Sequence, residues 1–183
     1  MIDCRIRPET PADYAGVYEV NRLAFGQDAE PRLVEAMRQT PDHIPELSLV
    51  AESSGRIIGH VLFSPTVIEG GGAPVPTLSL APLAVRPEFQ RQGVGSALTR
   101  AGLEAARRLG HRLLVVVGHK EYYPRFGFVD TARSGIEPPI EIPPGVFMVC
   151  ELVPGALAGV RGTLRFPAPY YAALEAGKRP EAK

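Results

Sequence analysis

The chain has 183 residues, 45% hydrophobic and 22% charged, which excludes a disordered segment and suits one domain with its own core. Twenty basic and 20 acidic residues cancel, which argues against general nucleic-acid binding and against a polybasic membrane anchor. No apolar stretch reaches the ~20 residues that span a bilayer, and the opening MIDCRIRPET lacks the apolar centre of a secretory signal. Cys4 and Cys150 lie far apart with no CxxC spacing. They are expected to be small buried hydrophobes in a reducing cytoplasm, with no disulfide and no metal site.

Residues 2–7 alternate apolar and polar, the pattern of a half-buried strand. Thr10 is placed to cap a helix that starts at Pro11, with Asp13 in its first turn, and that runs to Gly26. A second short helix carries Leu33, Val34 and Met37 on one face. Leu47–Glu52 and Arg56–Pro65 read as a hairpin around Ser53-Ser54-Gly55, and Gly59 marks a bulge or a close approach within it. An extended run follows from Val75 to Val85, broken for ladder pairing at Pro82. From Gly93 to Leu109, Val94, Ala97, Leu98, Ala101, Ala105 and Leu109 form a helical stripe. Leu113–Val117 is apolar on both faces, as in a central strand, so residues 78–117 read as a right-handed strand-helix-strand unit. A short helix is expected over His119–Phe126 and a strand over Val146–Leu152. Pro138–Pro144 reads as extended, and Gly162–Phe166 as one more short strand.

The stretch Gln90-Arg91-Gln92-Gly93-Val94-Gly95-Ser96 places two glycines where a helix begins. The first turn of a helix leaves N–H groups without intrahelical partners, and the dipole favours an anion there. Gly93 and Gly95 remove side chains where a phosphate would approach, Ser96 adds a hydroxyl, and Arg91 adds charge. The same glycines could serve only to relieve strain in an ordinary turn. No Gly-Lys-Ser/Thr follows, and Leu98 stands where a dinucleotide fingerprint needs its last glycine, so neither a P-loop nor a Rossmann site is expected.

Gln90–Gly95 resembles the Q/R-x-x-G-x-G/A signature of the GCN5-related N-acetyltransferases (GNAT), and the preceding Leu-Ala-Val-Arg-Pro-Glu-Phe resembles that family's strand and turn. Downstream, Tyr122-Tyr123-Pro124-Arg125-Phe126-Gly127-Phe128 is similar to the family's Y-x-x-x-G-F segment. The likeness covers residues 2–152 and looks closest to a bacterial YhbS-like subgroup. It implies an α/β fold: a single mixed, largely antiparallel sheet, helices on both faces, and the strand-helix-strand unit at its centre. It implies an acetyltransferase core over residues 1–153, a C-terminal extension over 154–177 packing on that core, and a frayed tail over 178–183.

The resemblance also implies acetyl-CoA as cosubstrate, without a metal, and direct acetyl transfer to a primary amine in a ternary complex. Pyrophosphate would lie on the amides of Arg91, Gln92, Gly93, Val94, Gly95 and Ser96, and pantetheine would pair with the backbone of Leu83, Ala84 and Val85. Pantetheine carries amides, and ladder groups freed near Pro82 could bond them. Tyr123 matches the position that protonates the departing thiolate, although it and Tyr122 could instead pack beside Phe126 and Phe128. For the base, the strand before the turn offers Thr77 and Ser79 in place of a carboxylate. His119 has a suitable intrinsic pKa, and is equally readable as a solvated or capping residue. His60 reads as structural. Phe25–Arg32 is expected to select the acceptor, with Asp28 and Glu30 available to a cationic amine. The resemblance implies a small-molecule or peptide amine as acceptor, and the chain is expected to be a monomer or homodimer. A non-catalytic acyl-CoA-binding module is the competing reading.

Overall fold

A computed structural model describes residues 2–176, and the expected frayed tail at 178–183 lies outside the described residues. The strands are β1 (Arg5–Pro8), β2 (Ser48–Ser53), β3 (Arg56–Gly70), β4 (Val75–Val85), β5 (Leu113–Val117), β6 (Val129–Asp130), β7 (Ile136–Glu137), β8 (Phe147–Glu151) and β9 (Gly162–Arg165). The helices are α1 (Tyr14–Phe25), α2 (Ala29–Arg38), α3 (Val94–Arg108) and α4 (Ala168–Ala176). The strands join in one mixed sheet of order β1-β2-β3-β4-β5-β8-β6, with β9 pairing β3 and β7. The expected α/β class with a single mixed sheet is borne out.

The chain divides into two compact units. One comprises the described residues of Met1–Phe63, Pro82–Gly102 and Pro167–Lys183, the other Ser64–Ala81 and Leu103–Phe166. In the first, β2 pairs antiparallel with β1 and with β3, and its register shifts between Ala51 and Glu52. Gly59 on β3 lies opposite Ala51. A Cβ there would come within 2.9 Å of Leu98 Cδ1 and 3.0 Å of Val94 Cγ1. The glycine therefore lets the start of α3 sit against the strand, the close approach its position suggests. Pro11–Asp13 forms a 3₁₀ turn ahead of α1. Asp13 accepts from the backbone N–H and hydroxyl of Thr10, both at 2.8 Å, and its pairing with Arg7 holds its carboxyl well below the usual carboxylate range. α4, which the sequence does not announce, packs on α2.

In the second unit, β4 runs parallel to β5, with Leu78 opposite Leu114 and Ser79 opposite Val115, as the strand-helix-strand pattern requires. β8 flanks β5 antiparallel. Ile68, Leu113, Val115, Ile136, Phe147, Val149, Ala156 and Leu164 form one buried cluster. β3 runs to Gly70, past the expected end at Pro65, because Val67–Gly70 finds a partner in β9 that local sequence cannot reveal. The expected helix over His119–Phe126 is only a 3₁₀ turn at Tyr123–Phe126. Pro124 has no N–H to donate to the carbonyl of Lys120, as an α-helix from His119 would need, and Gly127 leaves the turn left-handed at φ 89°. Cys150 is buried, but Cys4 is only half-buried, and both are free thiols. Leu109, expected on the inner stripe of α3, is 45% exposed. Among the described residues no helix is long and apolar enough to cross a membrane.

Candidate active site

The turn between β4 and α3 is built by backbone-directed glutamines. Gln90 donates to the carbonyl of Val85 at 3.0 Å, and Gln92 to that of Glu88 at 2.8 Å. Arg91 and Gly93 take left-handed conformations, φ 60° and 94°, and the helix opens with Ala97 N–H donating to Gly93 O at 2.9 Å. A non-glycine residue held left-handed stores strain, a feature that collects where ligands are gripped. Arg91, Gln92 and Gly93 are exposed, Gly95 and Ser96 half-buried, and Val94 buried against β3. Val94 can thus offer only its amide. Arg91, Gln92 and Gly93, together with Ile2, line an open cavity of about 510 Å³. A diphosphate fits these features: first-turn amides without intrahelical partners, no side chain at Gly93, and a cavity at the exposed residues ahead of them.

Leu83, Ala84 and Val85 close β4, with Ala84 buried and its neighbours half-buried. Among the described residues, β4 pairs with β5 at Leu78 and Ser79. Leu83–Val85 lies beyond those pairs, and Val85 O is taken by Gln90. Arg86, a residue whose role the sequence does not signal, anchors this end. It is 2% exposed, its Nε donates to Ile57 O at 2.8 Å, its Nη2 meets Glu19 at 2.5 Å, and its N–H donates to Ile58 O at 3.0 Å. That pairing holds the Glu19 carboxyl below its ordinary range.

Tyr123 and His119 belong to one turn of the second unit. The His119 carbonyl accepts from Tyr122 N–H at 2.9 Å and Tyr123 N–H at 3.3 Å, while the His119 side chain is exposed. Tyr123 is 7% exposed, with Tyr122 edge-on at 4.9 Å and Phe128 at 5.5 Å between ring centroids. Burial pushes its phenol above the ordinary tyrosine range. The side chain is therefore neutral, the form a proton donor needs. Burial also penalises a thiolate, so a donor and acceptor desolvated together keep a smaller gap than the phenol's shift alone suggests.

His60 is fully buried on β3, as its structural reading requires. Asn21 Nδ2, which also donates to Val17 O, lies 3.1 Å from its Nδ1, and Ser48 Oγ lies 3.0 Å from its Nε2. An amide donor at Nδ1 fixes the proton on Nε2. Glu9, paired with Arg38 at 2.7 Å, lies 4.0 Å from Nε2. Burial lowers the imidazole to about 4, with Glu9 opposing and Arg38 adding to the shift. Between pH 6.5 and about 4 the unfolded chain thus binds a proton the folded chain refuses, and stability falls as the solution is acidified. The full shift corresponds to about 3 kcal/mol. His60→Gln should flatten the dependence of the urea midpoint on pH across that window, and an unchanged slope would refute the assignment. In the segment Phe25–Arg32, Asp28 accepts from the Tyr18 hydroxyl at 3.1 Å, and Glu30 takes two bonds from Gln27 at 2.9 and 3.0 Å. Both acids are already engaged. Phe25, 42% exposed, is the apolar surface of that segment.

The GNAT acetyltransferase domain family matches residues 5–129. The chain belongs to that family. It is 39% identical over 133 residues to YjhQ of Escherichia coli K12, covering 72% of this chain and 74% of YjhQ. It is 33% identical over 162 residues to YhbS of the same strain, covering 88% and 95%. Both relatives are described as uncharacterized N-acetyltransferases. The crystal structure of E. coli YhbS in complex with CoA aligns with TM-score 0.86 at 31% identity over 93% of each chain. A GNAT acetyltransferase from Brucella melitensis in complex with acetyl-CoA aligns with TM-score 0.75 at 32% identity, over 92% of this chain and 98% of that one. The expected likeness to YhbS is borne out.

Proposed function

We propose that the protein transfers the acetyl group of acetyl-CoA directly to a primary amine bound at the same time. The observation that carries this reading is the turn ahead of α3, where left-handed Arg91 and Gly93 line a cavity together with Gln92 and Ile2. The CoA and acetyl-CoA complexes of the related YhbS and Brucella proteins support it. The amides of Arg91 to Ser96 hold the diphosphate, and Leu83–Val85 pairs with the pantetheine arm. The neutral amine attacks the thioester carbonyl, and the C–S bond breaks as the tetrahedral adduct collapses. Tyr123 gives its proton to the departing sulfur, and the proton shed by nitrogen passes to solvent or to His119. His119, exposed in the turn that carries Tyr123, is the side-chain candidate for that base.

One observation favours the reading as a non-catalytic acyl-CoA-binding module. The carboxylates with displaced pKa values, Glu9, Asp13 and Glu19, are all held down, which disqualifies them as poised bases. Two measurements separate the readings. CoA at 100-fold over its Kd should stabilise the fold by about 2.7 kcal/mol, with NAD and ATP at equal concentration doing less. Thiol release from acetyl-CoA across a panel of primary amines should identify an acceptor. Stabilisation by CoA without thiol release on any amine selects the binding module, and equal stabilisation by NAD rejects the site.

A further inference from the structure

We infer that Gly118 is the positioning residue for the Tyr123 phenol, an inference that rests on the acid role proposed for Tyr123. A Cβ added at Gly118 would fall inside van der Waals contact of Tyr123 Cε2, with Cδ2 at 3.1 Å and Cζ at 3.3 Å. The overlap lies along one edge of the ring and reaches the carbon that bears the hydroxyl. Gly118 is not among the glycines of positive φ, so its backbone conformation is one any residue can adopt. What matters is the missing side chain.

Neither partner can retreat. Gly118 N–H donates to Val146 O at 2.9 Å, and the preceding Val117 pairs with Phe147 in the β5–β8 ladder. The ring, 7% exposed, has Tyr122 edge-on at 4.9 Å and Phe128 at 5.5 Å, and its own backbone N–H is held by His119. A packed aromatic cluster of this kind has no spare volume to accept the shift. One methyl group at residue 118 therefore displaces the phenol by about an ångström, an error that can cost ~10²-fold in rate when a reacting group must be aligned. The glycine acts on catalysis only through the hydroxyl it lets the ring present.

The test is a kinetic cycle on the full chain with an acceptor from the amine panel. Gly118→Ala should lower kcat by ~10²-fold with the CoA Kd, read by calorimetry, unchanged. In a Tyr123→Phe background the same substitution should cost no further turnover, because no proton donor remains to misplace. A repeated loss in that background overturns the positioning role, as does wild-type kcat in Gly118→Ala beside a slow Tyr123→Phe. Near-normal turnover of Tyr123→Phe alone overturns the acid role and this inference together. If Gly118→Ala does not fold, Gly118→Ala/Tyr123→Leu, which lacks the ring, should regain a cooperative melt. A double variant no more stable than the single one overturns the contact.

Discussion

Tyr123→Phe should slow turnover by a factor of about 10²–10⁴, the range in which a positioned general acid contributes. The substitution keeps the ring, its edge contacts with Tyr122 and Phe128, and the space provided by Gly118. Only the hydroxyl is lost. The deficit should therefore appear in kcat and kcat/KM together, with the CoA Kd preserved, because the proton is needed only as the C–S bond breaks. Tyr122→Phe should be milder, since Tyr122 is half-buried at the rim of the same cluster, with Arg125 over its ring at 4.8 Å. The measurement needs an acceptor for which chemistry limits the rate. Turnover close to wild type in a well-folded Tyr123→Phe protein would assign the proton to water or to another group.

The second large effect is expected at the glycines of the α3 turn, where two substitutions separate folding from binding. Gly93 sits at φ 94°, so any L side chain there is strained, at a cost of order 1–3 kcal/mol, before a ligand is considered. Gly95 lies within the helix and has no such conformation, so Gly95→Val keeps the backbone and places a branched side chain beside the anion. CoA affinity should fall about 10- to 100-fold in Gly95→Val, since each hydrogen bond to a charged group is worth ~1.5–3 kcal/mol. Gly93→Val should lose both affinity and melting temperature. Unchanged CoA affinity in folded Gly95→Val, measured by calorimetry, would remove the phosphate from this turn.

The parts of the fold that were legible are those whose reasons are local. A tight turn into a helix needs a residue that tolerates a left-handed backbone, and Gly93 at φ 94° is one. A central strand needs an unbroken apolar run, and Leu113–Val117 is one. Gly59 in a strand pattern signals a close approach, and α3 provides it. What stayed hidden depends on residues far apart in the chain. Arg86 is defined by Ile57 and Glu19, and His60 by Asn21, Ser48 and Glu9, none of them neighbours in sequence. Asp28 and Glu30 look available to an amine until Tyr18 and Gln27 are seen bonding them. The expected helix at His119–Phe126 shortened to a 3₁₀ turn on a rule the sequence did contain, the N–H that Pro124 lacks. Gly118 is the instructive intermediate case. Its position ahead of the tyrosines is visible, but only the fold shows that it faces a ring rather than bending a turn.

Ile2 stands in the wall of the cavity beside Arg91, Gln92 and Gly93. Any peptide fused ahead of it is consequently tethered at the rim where an anionic cosubstrate would arrive. A polyhistidine leader would bring its own partial positive charge to that rim, and an acidic epitope tag would repel the same ligand over a Debye length of about 8 Å at physiological salt. Apparent CoA affinities would then vary with the expression vector. Purification handles for binding studies should be cleaved from the amino end before titration, and salt dependence should be compared before and after cleavage.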